Sequence, residues 1–408
     1  MAGEDWPLVP LGELTENFDG RRVPVKEIDR KPGPYPYYGA SGIVDHVDGY
    51  IFDGEYLLIG EDGENLRTRQ TPIAFMATGK FWVNNHAHIV RGNHRADTRF
   101  LNYVLSQTDI SAYLTGSTMP KLTQGNLNRL PVIAPPLAKQ KAIAAVLGAL
   151  DEKINLNRRM NATLEAMARA LFQSWFVDFD PVRAKRDARS PAALDPATAV
   201  LFPEHLEDSP LGHIPKGWKA GTVVEGFNLT MGQSPPGDTY NEESNGLPFY
   251  QGRTDFGFRF PTPRIYCTAP TRYAKPGDTL VSVRAPVGDI NMVNEECCIG
   301  RGVAAVRHKS GATSFTYYSM ANLYPDFARF EAEGTVFGSI NKDSFEKLRF
   351  VIPPDEIVAA YERQAGPLDE QIGTLENQSR TLAALRDALL PKLLSGELSI
   401  SAIGDHIP

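Results

Sequence analysis

The chain has 408 residues, 42% hydrophobic, 22% charged and 10% aromatic, an ordinary folded composition with room for two or three cores. Forty-two basic residues against 49 acidic ones leave a net charge of −7, which argues against a general nucleic-acid binder working by phosphate neutralisation alone. The opening residues hold no basic-then-apolar signal, no run of about 18 apolar residues occurs, and Cys267, Cys297 and Cys298 match no CxxC spacing, so a reduced cytoplasmic protein is expected, with no membrane span.

The first region, residues 1–136, opens Trp6-Pro7-Leu8-Val9-Pro10-Leu11-Gly12-Glu13-Leu14. Short apolar or alternating runs follow, set between Gly, Pro, Asn and Asp. Tyr50-Ile51-Phe52, Tyr56-Leu57-Leu58-Ile59 and Ala87-His88-Ile89-Val90 predict strands joined by turns. Arg99 to Leu114 predicts a helix.

Residues 137–177 predict one long helix. Between Leu137 and Trp175 there is no proline and one glycine. Leu147, Leu150, Ile154, Leu164 and Leu171 are linked by steps of three and four or their sums, the spacing of a coiled-coil seam. Asn157 and Asn161 fill the two seam positions in the middle. Residues 178–215 break this periodicity and hold six of the 31 prolines. They predict a linker, partly packed and partly extended.

The next region, residues 216–354, opens with Gly217-Trp218-Lys219 before Val223-Val224. Thr279-Leu280-Val281-Ser282-Val283 and Val303-Ala304-Ala305-Val306 predict strands, and Phe315 to Phe330 a helix. Residues 355–398 predict a second long helix, with Leu368, Ile372, Leu375, Leu382 and Leu389 in its seam. Residues 399–408 form a tail.

The two halves are copies. A shift of 218 residues lays Leu150-Asp151-Glu152 on Leu368-Asp369-Glu370, Thr163-Leu164 on Thr381-Leu382, Gly116 on Gly334 and Pro135-Pro136 on Pro353-Pro354. Residues 116–172 and 334–390 share 15 identities in 57 positions without a gap, where chance would give roughly three or four. The predicted fold is therefore α+β: two mixed, mainly β domains separated by an antiparallel coiled coil of two long helices, with a pseudo-two-fold repeat. Charge differs between the copies, +4 over 137–189 and −5 over 355–408. Side-by-side pairing of a basic and an acidic helix is favoured over self-pairing.

Motifs of catalysis are mostly missing. Gly232-Gln-Ser-Pro-Pro-Gly237 has the glycine spacing of a phosphate loop, but Asp238 stands where lysine is needed and two prolines remove amide donors. No GxGxxG follows a strand, and no Asn/Asp-Pro-Pro-Tyr/Phe tetrapeptide occurs. His86, His88 and nearby His94 lack a cysteine or a well-spaced further ligand, so no metal site is expected. What remains is a set of polar, aromatic and basic residues in turn-rich loops: Tyr37, Tyr38, Ser41, Lys80, Asn84, Asn85, His86, Ser117, Thr118 and Lys121 in the first half. The second half offers Gln233, Ser234, Gln251, Arg253, Arg284, Arg301, Ser339, Asn341 and Lys342. Arg and Lys can fork onto guanine edges, Asn and Gln onto adenine edges, and hydroxyls can hold phosphates. Each of these is also an ordinary solvated loop residue; their placement in two copies of one region makes the joint case for DNA.

A Gly-Ser/Thr pair, a short run ending in Pro-Pro and a long helix, present twice, resembles the specificity subunit of type I restriction-modification systems. So do YYGASGIVDHVDGYIFDGEYLLIGEDG, GKFWVNNHAHIVRG, PFYQGRTDFG and VRAPVGDINMVNEECCIGRG. The second helix departs from the pattern by opening Pro354-Asp355-Glu356-Ile357, where the first has Pro136-Leu137-Ala138-Lys139-Gln140. The resemblance implies a chain without catalysis of its own, whose two target-recognition domains each read half of a split double-stranded DNA sequence. It implies two methyltransferase subunits docked on the helices, methylating adenine N6, and motor-nuclease (restriction/translocase) subunits completing the complex. S-adenosylmethionine, ATP and Mg would belong to those partners and none to this chain. A 40-residue helix is about 60 Å long, more than one turn of DNA at about 34–36 Å, so a gapped target is expected.

Overall fold

The computed structural model of the protein describes residues 6–190, 194–332 and 338–399. Gly334 of the repeat and most of the predicted tail lie outside them. The chain divides into two compact units: one holds the chain up to Leu156 together with the chain from Ser379, the other is Asn157–Gln378.

In the first unit the strands are β1 (Leu8–Pro10), β2 (Thr15–Asn17), β3 (Pro32–Gly39), β4 (Gly42–Val47), β5 (Phe52–Gly60), β6 (Ala74–Val83), β7 (Ala87–Gly92) and β8 (Pro131–Ile133). Helices α1 (Asn65–Thr68), α2 (Thr98–Gln107), α3 (Gln124–Arg129) and the start of α4 (Leu137–Phe176) complete it. Six strands form one sheet in the order β2-β7-β5-β6-β3-β4, and β1 pairs with β8. β5 shows why the sequence reads as a continuous apolar run. Leu57 and Ile59 face a core shared with α2 and α4, while Tyr56 and Leu58 face a second core with Phe52, Phe81 and Ile89. A strand covered on both faces needs apolar residues at every position.

The second unit repeats this plan. Its first elements are the end of α4, α5 (Asp180–Arg186), α6 (Pro196–Leu201) and a hairpin of β9 (Leu206–Ser209) and β10 (Gly212–Pro215). Then come β11 (Lys219–Thr222), α7 (Val223–Gly226), β12 (Phe227–Met231), β13 (Tyr240–Asn241), β14 (Leu247–Tyr250), β15 (Tyr266–Cys267), β16 (Tyr273–Ala274), β17 (Thr279–Ser282), β18 (Ile290–Met292), β19 (Cys297–Ile299) and β20 (Val303–His308). Helices α8 (Thr313–Asn322), α9 (Tyr324–Ala332) and α10 (Lys342–Glu346), strand β21 (Arg349–Ile352) and helix α11 (Asp355–Leu394) close the list. One sheet runs β12-β20-β17-β18 and another β13-β15-β14-β19-β16; β11 pairs with β21 as β1 pairs with β8. Even small devices recur. Thr123 caps α3 by accepting from Asn126, and Asn341, 218 residues on, caps α10 by accepting from Ser344.

Both long helices run 40 residues, and each contributes to both units. Within the first unit Leu147 packs with Leu390, Leu393 and Leu394, and Asp151 meets Arg386 at 2.6 Å. Within the second, Asn157 Nδ2 donates to Leu375 O at 3.5 Å and to Gln378 Oε1 at 2.9 Å, and Tyr361 OH donates to Ala168 O. In each unit higher numbers on α4 meet lower numbers on α11, so the segments are antiparallel. Asn157, Asn161, Ile154, Ile372 and Leu375 are buried, and Leu150, Leu164, Leu171, Leu368, Leu382 and Leu389 half-buried. The Asp151–Arg386 pair corrects one expectation: its acid lies on the basic helix and its base on the acidic one.

Three boundaries differ from the sequence reading. The helix predicted over Arg99–Leu114 ends at Gln107, and that over Phe315–Phe330 is two helices, α8 and α9. Residues 178–215 are folded: Phe179, Val182, Phe202 and Ile214 join the core of the second unit. Their elements are four to seven residues long, too short to show a period, and tertiary burial holds them.

Candidate nucleic-acid interface

In the second unit, strand ends assemble the site. β14 and β19 run parallel with Tyr250 opposite Ile299, so the residues that follow them, Gln251 and Arg301, emerge side by side. β17 is antiparallel to β20 with Ser282 opposite Val303, which brings Arg284 to the same end. Glycines make the approach close. A Cβ on Gly302 would lie 2.1 Å from Gln251 O, and one on Gly232 2.1 Å from Gly300 O; no side chain fits at either position. Ser234, Gln251, Arg253, Arg284 and Arg301 then line one cleft of about 260 Å³ together with Thr254.

Charge in this cleft is poorly balanced. Arg253 pairs with Asp289 at 3.1 Å. Arg301 donates from its backbone and Nε to Ser234 Oγ, each at 3.4 Å. Among the described residues neither Arg284 nor Arg301 meets a carboxylate. Gln233 is exposed beside the cleft, its backbone bound to Ile299 O. Ser339 bridges the backbone of Arg284. Asn341 and Lys342 stand apart in role: the first caps α10, and the second pairs with Glu346 at 3.5 Å. A larger cleft of about 620 Å³, rich in aromatic residues, shares only Arg253 with this set.

The first unit builds a matching site. β5 leads into Glu61 and Asp62. Asp62 bridges the backbone of Lys121, Glu61 N donates to His86 O, and Leu122 N to Glu61 O. The β3–β4 turn carrying Ser41 abuts the same place, since a Cβ on Gly60 would lie 3.0 Å from Ala40 O. Gly116 (φ +87°) turns the loop that presents Ser117 and Thr118, and Arg67 holds it through Gly116 O. Ser41, Asn85, His86, Ser117, Thr118 and Lys121 are all exposed around Asp62.

The charges here are mixed. Glu61 meets Arg22 at 2.7 Å and Lys121 at 3.1 Å. Burial pushes the Glu61 carboxyl up, but the Arg22 hydrogen bond and the nearby His88 and Lys121 outweigh it and hold it below the usual value. His86 Nδ1 lies 2.9 Å from both Asp62 oxygens. His88 is the structural histidine, buried between Asp19 and Leu122 O at 2.6 and 2.7 Å. Among the described residues no group of three or more His, Cys, Asp or Glu could hold a metal ion.

Four residues singled out by type do not belong to this site. Tyr37 is 1% exposed, and its hydroxyl is tied to Val25; it is core because it faces inward from β3. Tyr38 lies between Phe75 and Phe81, and burial raises its phenol. Asn84 is buried and fixes its turn by accepting from His86 N. Lys80 caps the Tyr50 ring at 4.7 Å, opposite Asp53 and towards the other end of β5. Conversely, choosing by residue type passed over Asp62 and Thr254. Laying Leu57-Leu58-Ile59 on Thr279-Leu280-Val281 would have placed Asp62 on Arg284.

The family described as type I restriction modification DNA specificity domain matches residues 3–166 and again residues 215–374. The chain is similar to the type I restriction enzyme MjaIX specificity subunit of Methanocaldococcus jannaschii, 23% identical over 433 residues, covering 98% of this chain and 95% of that one. It is similar to the type I restriction enzyme HindI specificity subunit of Haemophilus influenzae, 24% identical over 411 residues, covering 85% and 84%. A solved type I restriction-modification system S subunit from M. genitalium shares its fold, with a TM-score of 0.60 at 14% identity over 96% of this chain and 99% of that one. Two domain matches that span most of the sequence agree with the doubled sheet plan and the doubled site: the chain belongs to the type I restriction-modification specificity subunits, with one target-recognition domain in each half.

Proposed function

We propose that this chain reads a bipartite, gapped duplex DNA target, one half with each recognition domain, and that it scaffolds two methyltransferase subunits and the restriction/translocase subunits. The observation that carries the proposal is the cleft of the second unit. Three arginines, a glutamine and a serine converge on strand ends with little compensating acid. Arg forks onto guanine O6 and N7, Gln onto adenine N6 and N7, and hydroxyls take phosphates. The matching placement of Ser41, His86 and Lys121 in the first unit supports a second reading surface. The chain itself transfers nothing; S-adenosylmethionine, ATP and Mg belong to the partners, and the complex works in the cytoplasm. No helix of the described residues is long and apolar enough to cross a membrane.

The test is the triple substitution Arg253→Ala, Arg284→Ala, Arg301→Ala in the full chain, co-expressed with its methyltransferase. Mapping of methylated adenines in cells should give a bipartite motif for the natural chain. The triple variant should lose base preference in one half of that motif while still copurifying with its partner. Unchanged methylation would identify a helical protein adaptor that leaves DNA reading to others.

A further inference from the structure

The two reading sites are the same place in the fold with opposite hydrogen-bonding character. β5 pairs with β7 (Leu57 with Val90, Gly60 with Ala87) as β17 pairs with β20 (Thr279 with Val306, Ser282 with Val303). Two residues after each strand the backbone bridges the loop that precedes α3 or α10: Asp62 to Lys121, and Arg284 to Ser339. Lys121 and Ser339 are 218 residues apart, the period of the duplication. Asp62 and Arg284 therefore occupy equivalent positions on two independent criteria, strand register and repeat spacing.

An exposed arginine at such a position donates. An aspartate there accepts, and it repels phosphate, so at a DNA-reading surface its use is at a base edge. Asp62 is partly exposed, with 22% of its side chain accessible. Neighbouring Glu61 is a different case, neutralised by Arg22 and Lys121 and mostly covered. His86 extends the acceptor surface. In the neutral ring, an Nδ1–H donated to Asp62 leaves Nε2 as an acceptor.

We infer that Asp62, positioned with His86, is a specificity-determining residue of the first recognition domain, and that it accepts from the exocyclic amino group of a cytosine or adenine. Its counterpart Arg284 donates to a guanine. One half of the target is thus read through donors on the bases and the other through acceptors. This rests on the proposed DNA-reading function and adds which atoms each half senses.

The experiment uses the full chain assembled with its methyltransferase and a duplex library with randomised positions. The natural chain, Asp62→Ala, Asp62→Asn and Arg284→Ala are compared for the sequences they enrich. Asp62→Ala should relax one cytosine- or adenine-specifying position in one half by on the order of tenfold to a hundredfold, leaving the other half sharp. Asp62→Asn, which retains one acceptor oxygen, should relax it less. Arg284→Ala should relax a guanine position in the opposite half. The sharp half serves as the internal control for folding. A full motif enriched unchanged by Asp62→Ala overturns this inference and leaves the reading function standing. No motif enriched by the natural chain overturns both.

Discussion

Arg22 ties the first recognition domain to an acid-sensitive network. It reaches Glu61 at 2.7 Å and Ala87 O at 2.7 Å, and lies 3.6 Å from Asp19. The Asp19 and Glu61 carboxyls are buried, which raises them, but hydrogen bonds and charges from His88 and Arg22 leave both below their ordinary values of 3.8 and 4.5. A depressed folded pKa means the unfolded chain binds more protons in that window, so stability rises with pH there. The contribution is complete above about pH 4.5 and fades as pH falls through the folded values. Arg22→Ala should cost about 2 kcal/mol at pH 7, and its gap to the natural chain should narrow near pH 3, as read by denaturant melts at each pH. At this scale the sequence was only partly legible. Arg253, Arg284 and Arg301 could be picked by type and do converge. Tyr37 could not be separated from them, because its inward face depends on the strand's position in a sheet.

Elements with equal sequence in the two copies can carry unequal energy. Asp151 and Asp369 are repeats of one another, on α4 and α11. Asp369 accepts from fully buried Arg259 at 2.6 Å, with Tyr318 at 3.2 Å and the guanidinium lying 4.0 Å over Tyr317. Asp151 accepts from Arg386 at 2.6 Å, but about a third of that pair is open to water. Removing Asp369 strands a buried charge; removing Asp151 leaves a solvated one. Asp369→Ala should therefore lose about 3–5 kcal/mol and Asp151→Ala roughly 1 kcal/mol. Urea denaturation of the full chain, followed at two probes, separates them. The long helices were legible because 3.6-residue periodicity is a local signal repeated over 40 residues. Helices α5 and α6 were not, because Val182 and Thr198 are buried by contacts distant in sequence.

For the whole chain, the net charge of −7 sets the affinity expected without partners. Few phosphates can be neutralised, so the isolated protein should bind its target weakly and with a shallow salt dependence. Adding the methyltransferase should raise affinity sharply. Mobility-shift titration at two salt concentrations checks this; nanomolar, sequence-specific binding by the isolated chain would refute it. The duplication was visible from 15 identities between the copies. The opposed character of Asp62 and Arg284 was not, because aligning them requires the strand register.

The first unit is discontinuous, closed by residues from Ser379 onward, whereas Asn157–Gln378 is an unbroken stretch. During synthesis the ribosome delivers the whole of the inner unit before the outer one receives Arg386 and Leu390. At about 5–20 residues per second, the earliest-made strands wait tens of seconds for the leucines that cover them. The amino-terminal domain is thus the last to mature, and it is the part of a nascent molecule most dependent on chaperones.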